Sequence, residues 1–258
     1  MIKRIDQTGR EVRLEHPAKR IISLVPSQTE LLHYFGLEEE TIGITKFCIH
    51  PDSWFRSKQR VGGTKNLDIQ LIQSLKPDLI IANKEENTKE DIEALQRDFQ
   101  VYISDINTIP EAYQMIKDVG LLCGKEQAAV DLIDTIQEDF SELNKVSARV
   151  AYFIWKNPYM VVGQSNFINS MIQELGLKNA IQDDRYVEIE VEEVAKLNLD
   201  YILLSTEPYP FKEEDKVELE NRLGIKVLIV DGEMFSWYGS RMLKMKDYFN
   251  PMLKLLNV

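Results

Sequence analysis

The segment Leu75-Lys76-Pro77-Asp78-Leu79-Ile80-Ile81-Ala82 shows how this chain is built. Pro77 and Asp78 end a short helix that begins near Asp68, and the apolar run after them is typical of a strand buried on both faces. The same order recurs at 197–204 (LNLDYILL), where Asp200 leads into a second apolar run. We therefore expect two similar α/β lobes, each built on a buried parallel sheet.

Neighbouring elements extend this repeat in both directions. Each junction is followed by a loop with acidic residues, a helix at about 88–98 or 213–222, and a strand that ends at Asp105 or Asp231. Upstream, LLHYFGL (31–37) resembles MIQELGL (171–177), and each is predicted to be a helix that ends in Gly-Leu. The order of elements, more than the few identities, indicates a duplicated unit.

The N-terminal region adds three local predictions. Residues 2–15 alternate loosely around Thr8-Gly9, which favours a small hairpin, and the apolar run 20–25 predicts a strand. Ser27 and Glu30 have the spacing of a capping box at the start of the next helix.

A helix is predicted between the lobes, over 125–147, where apolar residues recur at helical spacing without Gly or Pro. Roughly 20 such residues span about 30 Å. We expect an N-terminal α/β lobe with the hairpin at 1–124, this connecting backbone helix at 125–147, and a C-terminal α/β lobe at 148–258. The predicted fold is two Rossmann-like lobes joined by one long rigid helix, with a ligand cleft between the lobes.

Composition narrows the function classes. The 258 residues are 44% hydrophobic and 28% charged, which suits a globular protein of two domains. The net charge of −11 argues against nucleic acid as a partner. The N-terminus has no apolar stretch like that of a signal peptide, so a cytoplasmic location is expected. Cys48 and Cys123 are too few for a disulfide framework.

Four loops that follow predicted strands carry the candidate ligand-binding residues. Cys48 and His50 could ligate a metal, or Cys48 could simply be buried in a packed loop. Glu85 could contact a ligand or belong to a solvated acidic turn. Aromatic loop residues indicate a binding face, or rings that pack between loop and lobe. The full set is Lys46, Phe47, Cys48, His50, Lys65, Asn66, Glu85, Trp155, Asn157, Tyr159, Glu207, Tyr209, Phe235, Trp237, Tyr238 and Arg241.

Motifs of nucleophilic and zinc-dependent hydrolases are missing from the sequence. Neither G-x-S-x-G nor H-E-x-x-H occurs, and only three histidines are present. We therefore expect a binding protein and not an enzyme, with no covalent cofactor.

Arg20-Ile-Ile-Ser-Leu-Val-Pro-Ser-Gln-Thr-Glu30, Gly62-Gly63 and Leu75-Lys-Pro-Asp-Leu79 resemble the class III periplasmic binding proteins. These helical-backbone metal receptors capture cobalamin, haem or ferric siderophores for ABC importers. The resemblance covers roughly residues 2–250 and is strongest to the cobalamin-binding type. It implies a monomeric binder of a corrinoid first, and of a ferric siderophore or haem second. It also implies a periplasmic location if the family role holds.

The resemblance assigns roles to particular residues. It implies that the corrin lies against aromatic side chains, and the loop 47–51, Tyr159, Glu233 and Phe235 match pocket positions of that type. We expect the rings that border the macrocycle to be Trp155, Tyr159, Phe235, Trp237 and Tyr238. Polar contacts would come from Lys65, Asn66, Asn157 and Arg241, and His50 would reach the metal. Thr64 and Asn83 stand where that type has aromatic contacts, which suggests a more polar ligand or a different pose of the ligand. Glu192 matches one of two glutamates that dock on an ABC transporter permease, and the other position is Gln70.

Two alternatives remain open on the residues alone. A cytosolic metal-binding protein or enzyme could use a carboxylate cluster in the cleft between the lobes, formed by Glu85, Glu86, Glu207, Asp231 and Glu233. A scaffold protein would instead bury its aromatic face in a dimer.

Overall fold

The computed structural model describes residues 1–256, which form two compact units. Unit 1 contains Met1–Ile106, Pro110–Ile136 and Tyr238–Arg241. Unit 2 contains Asn107–Ile109, Gln137–Trp237 and the described residues from Met242 onward. Each unit has its own largely parallel sheet with helices, so the predicted α/β class is confirmed. The observed division differs from the predicted one because it falls inside a helix and returns residues 238–241 to unit 1.

Unit 1 is built on a five-stranded sheet in which all neighbouring strands are parallel. The order across this sheet is β5-β4-β3-β8-β9. Its strands, with those of two small hairpins, are β1 (Ile2–Ile5), β2 (Glu11–Leu14), β3 (Ile21–Ser23), β4 (Thr41–Ile44), β5 (Gln59–Arg60), β6 (Gly62–Gly63), β7 (Asn66–Leu67), β8 (Leu79–Asn83) and β9 (Val101–Ser104). The helices up to the division between units are α1 (Pro26–Tyr34), α2 (Asp52–Ser57), α3 (Ile69–Leu75), α4 (Lys89–Leu95), α5 (Ile109–Cys123) and α6 (Glu126–Ser141).

Unit 2 is built on a six-stranded sheet with a parallel centre and an antiparallel edge. The order is β13-β11-β10-β14-β15, and β12 also pairs with β10. Its strands are β10 (Arg149–Trp155), β11 (Met160–Val162), β12 (Lys178–Asn179), β13 (Tyr186–Glu188), β14 (Tyr201–Ser205) and β15 (Lys226–Val230). Its helices are α7 (Phe167–Glu174), α8 (Val191–Val194), α9 (Glu213–Leu223), α10 (Gly232–Ser236) and α11 (Met245–Leu255), with a 3-10 helix at Ser240–Lys244.

The two aspartates of the repeat make the same contact in each unit. The Asp78 carboxylate accepts hydrogen bonds from the backbone N–H groups of Lys19 and Arg20, at 2.8 and 2.9 Å. The Asp200 carboxylate accepts one from the backbone N–H of Arg149, at 2.7 Å. In both units, the aspartate therefore fastens the start of one central strand to the start of its parallel neighbour.

The connecting helix is shorter than predicted. α6 ends at Ser141, because the backbone beyond it bonds outside the helix. The N–H of Asn144 donates to Oδ1 of Asn250, and that of Val146 donates to the carbonyl of Leu175. Buried Leu143 and Val146, which continue the apolar spacing in the sequence, anchor this non-helical segment.

The predicted capping box at Ser27 and Glu30 is wrong. α1 begins at Pro26, with Val25 as its N-cap and without a side-chain cap. A proline at the first helical position has no N–H that needs an acceptor. Ser27 is buried inside the helix, and Glu30 pairs with Arg241. Gly36 follows the helix with a φ of 68°, as predicted for a glycine in that position.

Within residues 1–256, no helix combines the length and apolar character needed to cross a membrane.

Candidate functional site

The carboxyl ends of the parallel strands in unit 1, named here the first edge, carry the loop that begins at Lys46. Cys48 in this loop is fully buried, at 0% exposure. Its sulfur accepts a hydrogen bond from the hydroxyl of Thr29 at 3.1 Å and lies 3.2 Å from the hydroxyl of Thr45. Burial raises the pKa of the Cys48 thiol. Cys48 is therefore a packing residue, and the ligand-binding role predicted for it is wrong.

Phe47 is the exposed member of the same loop, at 50% exposure. The Lys46 ammonium lies 5.1 Å from the centre of the Phe47 ring. Both side chains lie over Gly63, where an added Cβ would come within 3.1 Å of Lys46 and 3.2 Å of Phe47. Half-buried His50 completes the loop. The first edge thus presents an aromatic ring with a cation beside it.

The loop after β8 is held by amide side chains. Oδ1 of Asn83 accepts from the backbone N–H groups of Glu85 and Glu86, and Oδ1 of Asn87 accepts from that of Asn83. Nδ2 of Asn87 donates to the carbonyl of Thr64 at 3.1 Å. Both Thr64 and Asn83 are buried, so this loop is held by contacts inside unit 1.

Lys65, Asn66 and Glu85 remain exposed at the first edge. The Lys65 ammonium donates to the carbonyl of Glu85, which fastens the turn after β6 to the loop after β8. These side chains stay candidate ligand contacts.

Tyr238 and Arg241 are buried in unit 1, contrary to the roles predicted for them. The Tyr238 hydroxyl accepts from Nδ2 of Asn83 at 3.0 Å, and burial raises its pKa. Nε of Arg241 donates to Oε2 of Glu30 at 2.8 Å. Their polar groups stabilise the segment 238–241 within unit 1.

The corresponding ends of the parallel strands in unit 2, the second edge, expose Trp155. This indole is 40% exposed and meets the Tyr209 ring edge-on, with the ring centres 5.7 Å apart. The Tyr159 ring packs edge-on against Phe153, and its hydroxyl oxygen is shielded from solvent. Asn157 is exposed on the intervening turn, with a φ of 65°.

Phe235 belongs to the core of unit 2, so its predicted contact with a ligand is wrong. The ring is fully buried, and its centre lies 4.9 Å from those of Tyr152 and Phe249. Trp237 is half-buried, and its indole N–H donates to the Glu207 carboxylate. Of these two predicted contacts, only Trp237 remains a candidate.

Glu207 is the centre of a polar group at the second edge. Oε1 accepts from the hydroxyl of Ser236 at 2.8 Å. Burial raises the pKa of the Glu207 carboxyl, and the charges of Glu233 and Asp231 add to this rise against the opposing hydrogen bond from Ser236. An open pocket of about 570 Å³ borders this group, and its lining is Thr206, Glu207, Ile229, Val230, Asp231, Glu233 and Tyr248.

The described part of the chain contains no group of three or more His, Cys, Asp or Glu side chains that could hold a metal ion. Within unit 2, the side chains of Glu207, Asp231 and Glu233 therefore form no such metal-holding cluster. His50 is also left without the Cys48 ligand proposed beside it, because that thiol is enclosed by protein.

Gln70 and Glu192 occupy the same place in the two units. Each is the exposed second residue of a short helix, α3 or α8, that precedes the strand entered through the repeated aspartate. The Glu192 carboxylate pairs with Arg222 at 2.5 Å. These are the two positions that the family resemblance assigns to docking on a permease, and that role stays a prediction.

Lys156 and its partners were missed by sequence reasoning. Its ammonium lies 2.7 Å from Oδ1 of Asp215 and 2.8 Å from Oε2 of Glu218. A lysine between an aromatic residue and an asparagine gives no sign of partners 59 and 62 positions away. The acidic start of α9 was the only available signal.

Comparisons with known proteins agree with this architecture. The sequence profile of the family described as periplasmic binding protein matches residues 21–227. An uncharacterised ABC transporter substrate-binding lipoprotein of Bacillus subtilis is 26% identical over 213 residues, which cover 77% of this chain and 67% of that protein.

Two solved structures show the same fold. The periplasmic vitamin B12 binding protein of Vibrio cholerae matches with a TM-score of 0.79 at 23% identity, over 93% of this chain and 98% of that one. The petrobactin-binding protein of Bacillus subtilis matches with a TM-score of 0.80 at 17% identity, over 98% of both chains.

Proposed function

We propose that this chain, which belongs to the periplasmic binding protein family, binds a metal chelate for an ABC importer. Members of this family are non-catalytic solute-binding proteins, and so is this chain. The substrate-binding lipoprotein of Bacillus subtilis supports the link to an importer. We place the action of the protein outside the cytoplasmic membrane, where the periplasmic relatives act.

The exposure of Phe47 and Trp155 is the observation that carries this proposal. Each ring lies at the carboxyl edge of a parallel sheet, which is where α/β folds bind ligands. A large aromatic side chain that stays exposed gains stability when a flat ligand covers it. Exposed amides and ammonium groups accompany the rings: Lys46, Lys65, Asn66 and Asn157.

Within the chelates, we favour a corrinoid. Its side-chain amides would bond well to neutral amide groups such as Asn66 and Asn157. The vitamin B12 binding protein among the similar structures supports this choice. A ferric siderophore is the second candidate, supported by the petrobactin-binding protein, and haem is the third.

The test is a titration with hydroxocobalamin, followed by tryptophan fluorescence and by the cobalamin absorption bands. We expect saturable quenching at micromolar ligand. An accompanying band shift would indicate ligation of cobalt, with His50 as the candidate, and His50→Ala would then abolish the shift.

Parallel titrations with haemin and with a ferric siderophore complete the experiment. Saturation by one of these and not by hydroxocobalamin would replace the corrinoid with that chelate. No response to any of the three would contradict the proposed function.

Docking on the permease is the second part of the proposal. Glu192 and Gln70 are exposed and equivalent in position, so both lie where a partner protein can reach them. Since Glu192 is already paired with Arg222, a basic residue of the permease would have to replace that arginine.

A further inference from the structure

Two loops of unit 2 run side by side at the second edge. The first, 156–159, follows β10, whose last residue is Trp155. The second, 206–212, follows β14 and carries Tyr209. Because β10 and β14 are parallel neighbours in register from Val150 and Tyr201, both loops leave the sheet at the same edge.

The loops contact each other close to the sheet. The backbone N–H of Tyr209 donates to the carbonyl of Ile154 at 3.3 Å. The Tyr209 ring lies between the exposed Trp155 and the buried Phe211, with ring centres 5.7 and 4.7 Å away. One side of the Trp155 indole is thus supported by a row of rings that ends in the core.

A second fastening lies beyond Trp155. The Lys156 ammonium reaches Oδ1 of Asp215 at 2.7 Å and Oε2 of Glu218 at 2.8 Å. The other oxygen of Asp215 accepts from the backbone N–H of Lys212 at 2.9 Å. The Asp215 carboxylate therefore joins the residue after Trp155 to the end of the Tyr209 loop, and closes a ring of contacts around both loops.

This fastening is shielded enough to matter energetically. The side chains of Lys156 and Asp215 are only 17% and 12% exposed. Removal of one partner from a shielded pair leaves the other charge poorly solvated, so the loop would have to rearrange. By contrast, Lys216 pairs with Glu213 on the outer surface of the same helix, where an ion pair has little effect.

We infer that Lys156 is a positioning residue for ligand binding, which holds the loop after β10 so that Trp155 presents its indole to the ligand. The inference rests on the proposed function, in which Trp155 contacts the chelate. A ring held in place before binding loses less conformational entropy on complex formation, and this raises affinity.

The experiment is a double-mutant cycle of Trp155→Ala and Lys156→Met, with the dissociation constant for hydroxocobalamin as the readout. Lys156→Met should weaken binding by roughly 3- to 10-fold in the wild-type background and by less than twofold in the Trp155→Ala background. Lys156→Arg should restore most of the affinity. Lys216→Met is the matched control and should leave affinity unchanged.

The outcomes separate this inference from the proposed function. If the wild-type protein binds none of the three chelates, the proposed function itself is contradicted. If Trp155→Ala weakens binding and Lys156→Met does not, only the inference is overturned. Equal weakening by Lys156→Met in both backgrounds also overturns it, because the lysine would then act independently of Trp155.

A second measurement, made without ligand, tests directly whether Lys156 holds Trp155 in place. The acrylamide quenching of Trp155 is obtained as the difference between each protein and its Trp155→Phe counterpart. Lys156→Met should increase this quenching, and an unchanged value contradicts the inference. If Lys156→Met fails to fold, the double variant Asp215→Asn/Glu218→Gln removes the same pairs and takes its place.

Discussion

Glu207 shows at the scale of one residue how a carboxylate is kept at a binding edge. Its side chain packs against Gly232, where an added Cβ would lie 2.4 Å from its Cγ. Ser236 and Trp237 donate to the carboxylate, while Asp231 and Glu233 repel its charge. The two hydrogen-bond donors stabilise the ionised carboxylate, whereas burial and the neighbouring negative charges favour its neutral form. This balance makes the residue sensitive to pH.

Glu207→Gln tests this balance. The raised pKa means that ionised Glu207 costs stability, and the cost increases as the pH rises through that pKa. Glutamine has no charge to bury. We expect the melting temperature of the variant, minus that of the wild type, to increase between about pH 5 and about pH 8.

The measurement is thermal unfolding followed by circular dichroism. A variant-minus-wild-type difference that decreases with rising pH would show that the charge of Glu207 is stabilising.

At the scale of elements, the repeated aspartate junction connects neighbouring strands. Asp78 and Asp200 each follow a helix and accept backbone N–H groups from the start of the next strand in the sheet. These carboxylates align the starts of the parallel strands. The strands then end together, at the edge that carries the candidate ligand contacts.

Asp200→Ala should therefore lower the free energy of unfolding by about 0.5–1.5 kcal/mol, because the backbone N–H of Arg149 loses the Asp200 carboxylate as its acceptor and bonds to water instead. Urea denaturation gives this quantity. Asp200→Asn keeps one acceptor oxygen and should retain most of the stability. Equal losses in both variants would mean that the charge of Asp200, and not its hydrogen bond, is what stabilises the junction.

At the scale of the whole molecule, ligand binding and folding are linked. A chelate that binds only the folded chain stabilises it by about 2.7 kcal/mol at 100 times its dissociation constant. For a chain of this length, this corresponds to a rise in melting temperature of roughly 5–10 °C. The linkage gives a measure of binding that needs no optical change in the ligand.

We expect hydroxocobalamin to raise the melting temperature in proportion to the logarithm of its concentration. Trp155→Ala should show a smaller rise at the same ligand concentration, since its affinity is lower. A rise that is the same for both proteins would remove Trp155 from the binding site. Differential scanning calorimetry makes the measurement for all three chelates.

Local patterns were enough to predict the elements that are repeated in both units. Continuous apolar runs gave β8, β9, β14 and β15, and the aspartates before β8 and β14 have the same role in the structure. Such patterns depend on neighbours a few positions apart, and these are present in the sequence itself. The fold class and the exposed aromatic residue Trp155 could be predicted for this reason.

The direction in which each loop side chain points depended on distant partners. Cys48, Tyr238 and Arg241 were predicted to contact the ligand, but Thr29, Asn83 and Glu30 hold them inside unit 1. Arg241 and Glu30 are 211 positions apart, and no local pattern relates them. The pairing of Lys156 with Asp215 could not be predicted for the same reason, since the two residues are 59 positions apart. Periodicity predicts strands and helices, whereas only the folded chain brings together the charges and hydrogen-bonding groups that decide whether a loop residue faces a ligand or the core.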